Sequence, residues 1–188
     1  MSNDPSNTQR RALLQAAAGI AIAQLAIEPA LAGELPPIPE GKPGEFDFLS
    51  GQWKISHRRL KAPGAWDEFE GEATCWSILG GSASIEELRI PARSFAGMGI
   101  RTLDPKRKVW SDYWMNVREG VIGSPGTPGG FRDGVGIFQG EDTDGGKPII
   151  VRGVWDRITK ASCRWYQATS RDAGRTWEEN WSMEWRRA

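Results

Sequence analysis

The sequence predicts an all-β protein, an antiparallel up-and-down barrel of about eight to ten strands with little helix. Three observations carry that expectation. From Phe46 onward, apolar and polar residues alternate with a period of two rather than with a helical period. Turn signals built from Gly, Pro and Asp break the alternation at short intervals. No stretch after Phe46 offers an amphipathic run of ordinary helix length. Strands joined by hairpins are antiparallel, and a long meander closes on itself because closure removes its unpaired edges.

In chain order, the first segment reads as an export address. Thr8-Gln9-Arg10-Arg11-Ala12-Leu13-Leu14-Gln15 is followed by an alanine-rich run from Ala16 to Ile27, then Glu28 and Pro29-Ala30-Leu31-Ala32. A charged region, a short apolar region and a small-x-small site stand in the order of a signal peptide. The paired Arg10 and Arg11 resemble the twin-arginine signal, so residues 1–32 are expected to be removed and the product to be periplasmic or secreted. Gln15, Gln24 and Glu28 interrupt the run, which is too short for a membrane span of about 20 apolar residues. Residues 33–45, rich in Pro and Gly, read as a linker, and residues 46–188 as a single barrel domain.

Within the domain the alternating runs are Gln52 to Leu60, Trp66 to Leu79, Ser84 to Ile90, Gly97 to Leu103, Val109 to Val117, Phe131 to Gln139, Ile149 to Arg157, Ser162 to Ser170 and Thr176 to Arg186. The irregular stretch Gly120 to Gly130 reads as a loop at one barrel mouth, of the kind that covers a cavity. Ser170-Arg171-Asp172-Ala173-Gly174-Arg175-Thr176-Trp177 matches the Asp-box pattern S-x-D-x-G-x-T-W. A propeller repeats that box several times, so the single copy here reads as a hairpin clip.

Composition narrows the function. The chain has 24 basic and 24 acidic residues and no basic stripe, which disfavours nucleic acid as a partner. There is no phosphate-binding glycine loop, no G-x-S-x-G elbow and no cluster of metal-ligand residues. No metal and no cofactor are expected. Cys75 and Cys163 are too few for a disulfide framework; an oxidising compartment permits one bridge, although export of an already folded chain favours two buried thiols. Ten tryptophans against two tyrosines and six phenylalanines are suited either to lining a pocket or to filling a core.

Phe46-Asp47-Phe48-Leu49-Ser50-Gly51-Gln52-Trp53 carries the most specific pattern. Its Gly51-x-Trp53 at the start of the first strand resembles the calycin signature of lipocalins, fatty-acid-binding proteins and nitrobindins. Leu79-Gly80-Gly81, Arg101-Thr102-Leu103-Asp104-Pro105, Trp110 with Trp114, Gly130-Phe131-Arg132-Asp133-Gly134 and Ser170 through Trp181 extend the likeness. On these, residues 46–188 resemble a family of uncharacterised bacterial calycin-like proteins, which implies a barrel with an interior able to hold one small ligand. Nitrobindin-like proteins place their haem histidine late in the chain, where this sequence has none; its one histidine, His57, is early.

Three functions remain open. The barrel binds or carries a small hydrophobic or aromatic molecule; or it is a cofactor-independent lyase, isomerase or hydratase acting on an aromatic or isoprenoid molecule, as the phenolic acid decarboxylases act inside a calycin barrel; or it is a packed structural module. Homodimer formation is left open. Candidate acid–base residues are His57, Asp112, Tyr113 and Glu184. Candidate ligand contacts are Trp53, Arg59, Arg101, Trp114, Arg152, Trp155, Trp165, Gln167 and Trp181, because arginine beside aromatic rings can hold an oxyanion while the rings enclose an aromatic body.

Overall fold

The structure, a computed structural model, describes residues 37–188. The segment read as an export address and the first residues of the expected linker lie outside the described residues. Ten antiparallel strands form one closed barrel: β1 (Gly51–Ala62), β2 (Ala65–Ile78), β3 (Ala83–Ile90), β4 (Phe95–Asp104), β5 (Val109–Asn116), β6 (Thr127–Arg132), β7 (Val135–Asp144), β8 (Lys147–Asp156), β9 (Ser162–Ser170) and β10 (Glu178–Arg187). Every strand pairs with its neighbours in sequence, and β1 pairs with β10 to complete the ring. Helical structure among the described residues is confined to single 3₁₀ turns at Asp47–Leu49, Leu79–Gly81 and Pro91–Arg93.

One strand departs from the sequence reading. Gly120 to Gly130 is not wholly loop, because β6 begins at Thr127, and the run Phe131 to Gln139 is two strands rather than one. The break is Asp133-Gly134, where both residues take positive φ, 52° and 78°. A two-residue hairpin of that hand matches the twist of its strands, and Asp-Gly is its usual sequence. The turn at Gly145-Gly146 uses the same device, with φ of 56° and 78°.

One end of the barrel is closed by the chain entering it. Gly41 and Gly44 donate backbone hydrogen bonds to Lys108 and Gly81, at 2.7 and 2.9 Å, tying the approach segment to two hairpins. Phe46 then lies edge-on to Trp110 and Phe131, with centroids 5.0 and 4.9 Å away, and Leu49 is fully buried. Trp53 donates its indole N–H to the Leu49 carbonyl at 2.6 Å. Arg187, at the end of β10, lies 4.0 Å over the Trp53 ring and donates to the carbonyls of Phe48 and Ser50. The Gly51-x-Trp53 pattern thus joins the first strand, the last strand and the plug.

Alternation places Trp53, Ile55 and His57 inside from β1; Glu86, Leu88 and Ile90 from β3; and Trp181, Met183 and Trp185 from β10. The core is consequently aromatic: Trp185 lies 5.9 Å from Trp53 and 5.4 Å from Trp155. Cys75 and Cys163 are buried free thiols. The Asp-box turn closes on itself, Asp172 accepting from the Thr176 amide and hydroxyl at 2.8 and 2.6 Å while Gly174 donates to Ser170 Oγ at 2.7 Å.

Candidate functional site

Strand β4 pairs with β5 as far as Asn116, but β6 pairs with β5 only from Trp110 to Asp112. The upper half of β5 therefore has no strand partner on that side among the described residues; the loop before β6 runs beside it instead, with the Gly123 amide donating to the Trp114 carbonyl at 3.1 Å. An interior cavity of about 80 Å³ lies behind this seam. Tyr113, Trp114 and Thr127 edge it, and Trp155, Trp165, Met183 and Trp185 supply apolar wall. Its polar side is Arg101 with Glu86, Asp112 and Gln167.

Arg101 is placed by the register of β4, directly opposite Ser84 on one side and Asp112 on the other. It reaches past Gly99, where a Cβ would stand 3.0 Å from its Nη2, so glycine there makes room for the guanidinium. Nη2 donates to Glu86 Oε2 at 2.5 Å, and Nε pairs with Asp112 Oδ1 at 3.3 Å. Burial opposes the charge on Arg101, but the two carboxylates more than offset it, and its pKa is raised above the usual arginine value. A buried charge needs such partners. Nη1 of Arg101, the indole nitrogens of Trp155 and Trp185, and Oε1 of Gln167 make no hydrogen bond within the described residues. Three donors among the lining groups are thus left for whatever occupies the cavity, and the Gln167 oxygen is shared with a second cavity at the open end of the barrel.

The residues singled out in the sequence fall into distinct places. Arg101, Asp112, Tyr113, Trp114, Trp155, Trp165 and Gln167 come together around the cavity. His57, Trp181 and Arg59 form a separate stack. His57 lies flat on Phe69, centroids 4.5 Å apart, and its Nδ1 accepts the Trp181 indole N–H at 3.3 Å. Arg59 covers Trp181 at 4.8 Å, and Trp181 meets Trp165 edge-on at 5.8 Å. Trp53 belongs to the closed end. Glu184 and Arg152 alternate to the outside, Glu184 beside Arg157 at 3.5 Å and Arg152 under the Trp177 ring at 3.9 Å. Of the acid–base candidates, Asp112 and Tyr113 line the cavity, and His57 and Glu184 are not among its lining residues.

Glu86, Thr127, Met183 and Trp185 line the cavity without having been singled out. Glu86 had a signal, since it shares the face of Leu88 and Ile90 in an otherwise apolar stripe. Trp185 follows Trp181 and Met183 in the same alternation. Thr127 had none, because its strand is only six residues long and starts with Thr-Pro-Gly-Gly.

Ten antiparallel strands closed up-and-down are compatible with a calycin-like barrel, and a barrel of this kind is compatible with ligand binding. No protein-family model matches the chain, and no curated protein matches it. Among the described residues no group of three or more His, Cys, Asp or Glu side chains could hold a metal ion. No helix among them is long and apolar enough to cross a membrane.

Proposed function

We propose that this is an exported barrel protein that binds a small, neutral aromatic molecule in the cavity behind the β5–β6 seam, and that it belongs with the bacterial calycin-like proteins its sequence resembles. The observation that carries the reading is the combination at one cavity of four tryptophans, Trp114, Trp155, Trp165 and Trp185, with a buried guanidinium that has an unengaged N–H. Indole walls favour a flat apolar body. The Arg101 N–H and the unengaged indole N–H groups of Trp155 and Trp185 favour an acceptor oxygen on it.

Charge selects further. Arg101 already faces two carboxylates, Glu86 and Asp112, so a third negative charge at this site is repelled. A hydroxyl or carbonyl oxygen therefore suits the cavity better than a carboxylate. Size selects as well. An apolar cavity of about 150 Å³ takes up benzene, so a cavity of about 80 Å³ has room for nothing larger than a single ring. Haem and long isoprenoids need pockets of several hundred Å³. Binding is preferred to catalysis because only two of the four acid–base candidates, Asp112 and Tyr113, line the cavity and Asp112 is held by Arg101, while His57 is engaged with Trp181 and Glu184 lies outside.

The test is a fluorescence titration of the protein with phenol, benzene and benzoate. Phenol should bind saturably and about tenfold more tightly than benzene, as a hydrogen bond to a charged donor implies, with benzoate weakest. Thr127→Phe, which puts a ring where a small lining side chain stands, should abolish the phenol response. Benzoate binding best, or a phenol response unchanged by Thr127→Phe, would overturn the reading. Export is tested separately by fractionating the host: a mature N-terminus at Gly33 outside the cytoplasm is expected, and Arg10→Lys with Arg11→Lys should retain the precursor inside.

A further inference from the structure

The open end of the barrel holds a second cavity, of about 210 Å³, between the β7–β8 hairpin and the β9–β10 turn. Its chemistry is the reverse of the first. Leu60, Ile149 and Val151 give it an apolar wall. The charged groups on it are Asp142, Asp144, Glu178 and Arg171, and Arg171 is already committed to Asp144 at 2.6 Å. The rim therefore carries a clear excess of negative charge.

Asp142 is the group that makes this more than an acidic surface. It stands on the inward face of β7, opposite Ile149, and only 6 % of it is exposed. One carboxylate oxygen accepts the Thr143 amide at 2.7 Å, and the other, Oδ2, has no hydrogen-bond partner among the described residues. Burial pushes its pKa up, and Asp144 adds to that push. An isolated buried carboxylate is costly, so such a group either takes up a proton or is met by a counter-group.

A second buried acceptor lines the same space. Gln167, 5 % exposed, donates its Nε2 to Asn180 Oδ1 at 3.0 Å, and Asn180 in turn donates to Thr169 Oγ1 at 2.9 Å. That chain of amides engages the Gln167 nitrogen and leaves its Oε1 without a partner among the described residues. Thus two buried, unengaged oxygen acceptors line one cavity, one of them a carboxylate, and the arginine on its wall is tied to Asp144.

We propose that the open-end cavity is a binding site for an organic ammonium group, with Asp142 as its counter-ion and Gln167 as a second acceptor. An ammonium supplies several N–H donors and a full positive charge, and its alkyl stem suits the Leu60, Ile149 and Val151 wall. A neutral hydroxyl can satisfy one oxygen but not the charge. A metal ion is a poorer fit, because no group of three or more ligating side chains gathers among the described residues. The site stands on residues other than those of the aromatic cavity, Gln167 excepted, and does not depend on that cavity being occupied.

The experiment is a calorimetric titration of the full chain with n-butylammonium chloride and, in parallel, with 1-butanol. The ammonium should bind at least about tenfold more tightly than the alcohol, the difference expected of a charge-assisted hydrogen bond over a neutral one. Asp142→Asn should remove that preference, while Glu141→Gln, a change at an exposed neighbour on the opposite face, should leave it intact. Thr127→Phe, which blocks the aromatic cavity, should also leave it intact, so failure of one site is distinguishable from failure of the other. Equal affinity for ammonium and alcohol in the parent protein would overturn the proposal even if Asp142→Asn failed to fold. Ammonium binding unaltered in Asp142→Asn would overturn it too.

Discussion

Replacing Arg101 by methionine removes the guanidinium from the barrel interior and leaves Glu86 stranded. Both side chains are nearly inaccessible, at 5 % and 4 % exposure, so water cannot take over. Breaking a buried ion pair from one side costs about 3–5 kcal/mol. A Coulomb estimate agrees, since unit charges about 4 Å apart attract by about 4 kcal/mol at an effective dielectric of about 20. For a chain of this size the loss corresponds to a fall in Tm of about 10–15 °C. Glu86→Leu strands Arg101 less completely, because Asp112 still pairs with it at 3.3 Å and is itself 25 % exposed. The double variant Glu86→Leu/Arg101→Met buries neither charge, and apolar replacement of a whole buried pair is often neutral or better. Urea unfolding of the parent, both single variants and the double variant makes the cycle. The double variant should be more stable than Arg101→Met, with a coupling energy of at least about 2 kcal/mol. Additive losses would refute the reasoning, for they would mean that the two groups act on stability independently.

Further outcomes follow from other parts of the molecule. Arg187→Met removes donors to the Phe48, Ser50 and Lys160 carbonyls together with the cover over Trp53, and should destabilise by about 2–3 kcal/mol in chemical unfolding. A Cβ on Gly97 would overlap the Trp114 ring, so Gly97→Ala should cost about 1–3 kcal/mol and change the fluorescence response to phenol. Asp172 has its pKa lowered from 3.8 to about 2, by the Thr176 hydroxyl first and by the Thr176 amide and Ser170 after it. Its folded pKa is depressed, so its contribution is present above the unfolded value and lost as pH falls toward about 2. Acid titration of Asp172→Asn should therefore lack part of the parent's loss of stability in that window. Burial pushes the Cys75 thiol up, and that of Cys163 to about 12. Thiol reagents at near-neutral pH should accordingly label neither cysteine until urea unfolds the chain.

The sequence by itself determined the strand class, most of the turns and which residues share a face, because alternation and turn chemistry are local properties of the backbone. Trp181, Met183 and Trp185 on one face of β10 put Glu184 on the other, a consequence of the period of two alone. The Asp133-Gly134 turn was also legible in principle, though Phe131 and the apolar residues after it read as one run. What alternation cannot give is the absolute direction of a face where both faces are apolar. In β8, Ile149, Val151 and Trp155 compete with Ile150 and Val154, and only closure of the barrel decides that Trp155 points in and Arg152 out. Nor can it give the stagger between strands, which sets Arg101 against Asp112 and Glu86 but leaves His57 against Phe69 and Trp181. That stagger arises from pairing around the whole ring, so the cavity and its seam belong to the tertiary structure alone.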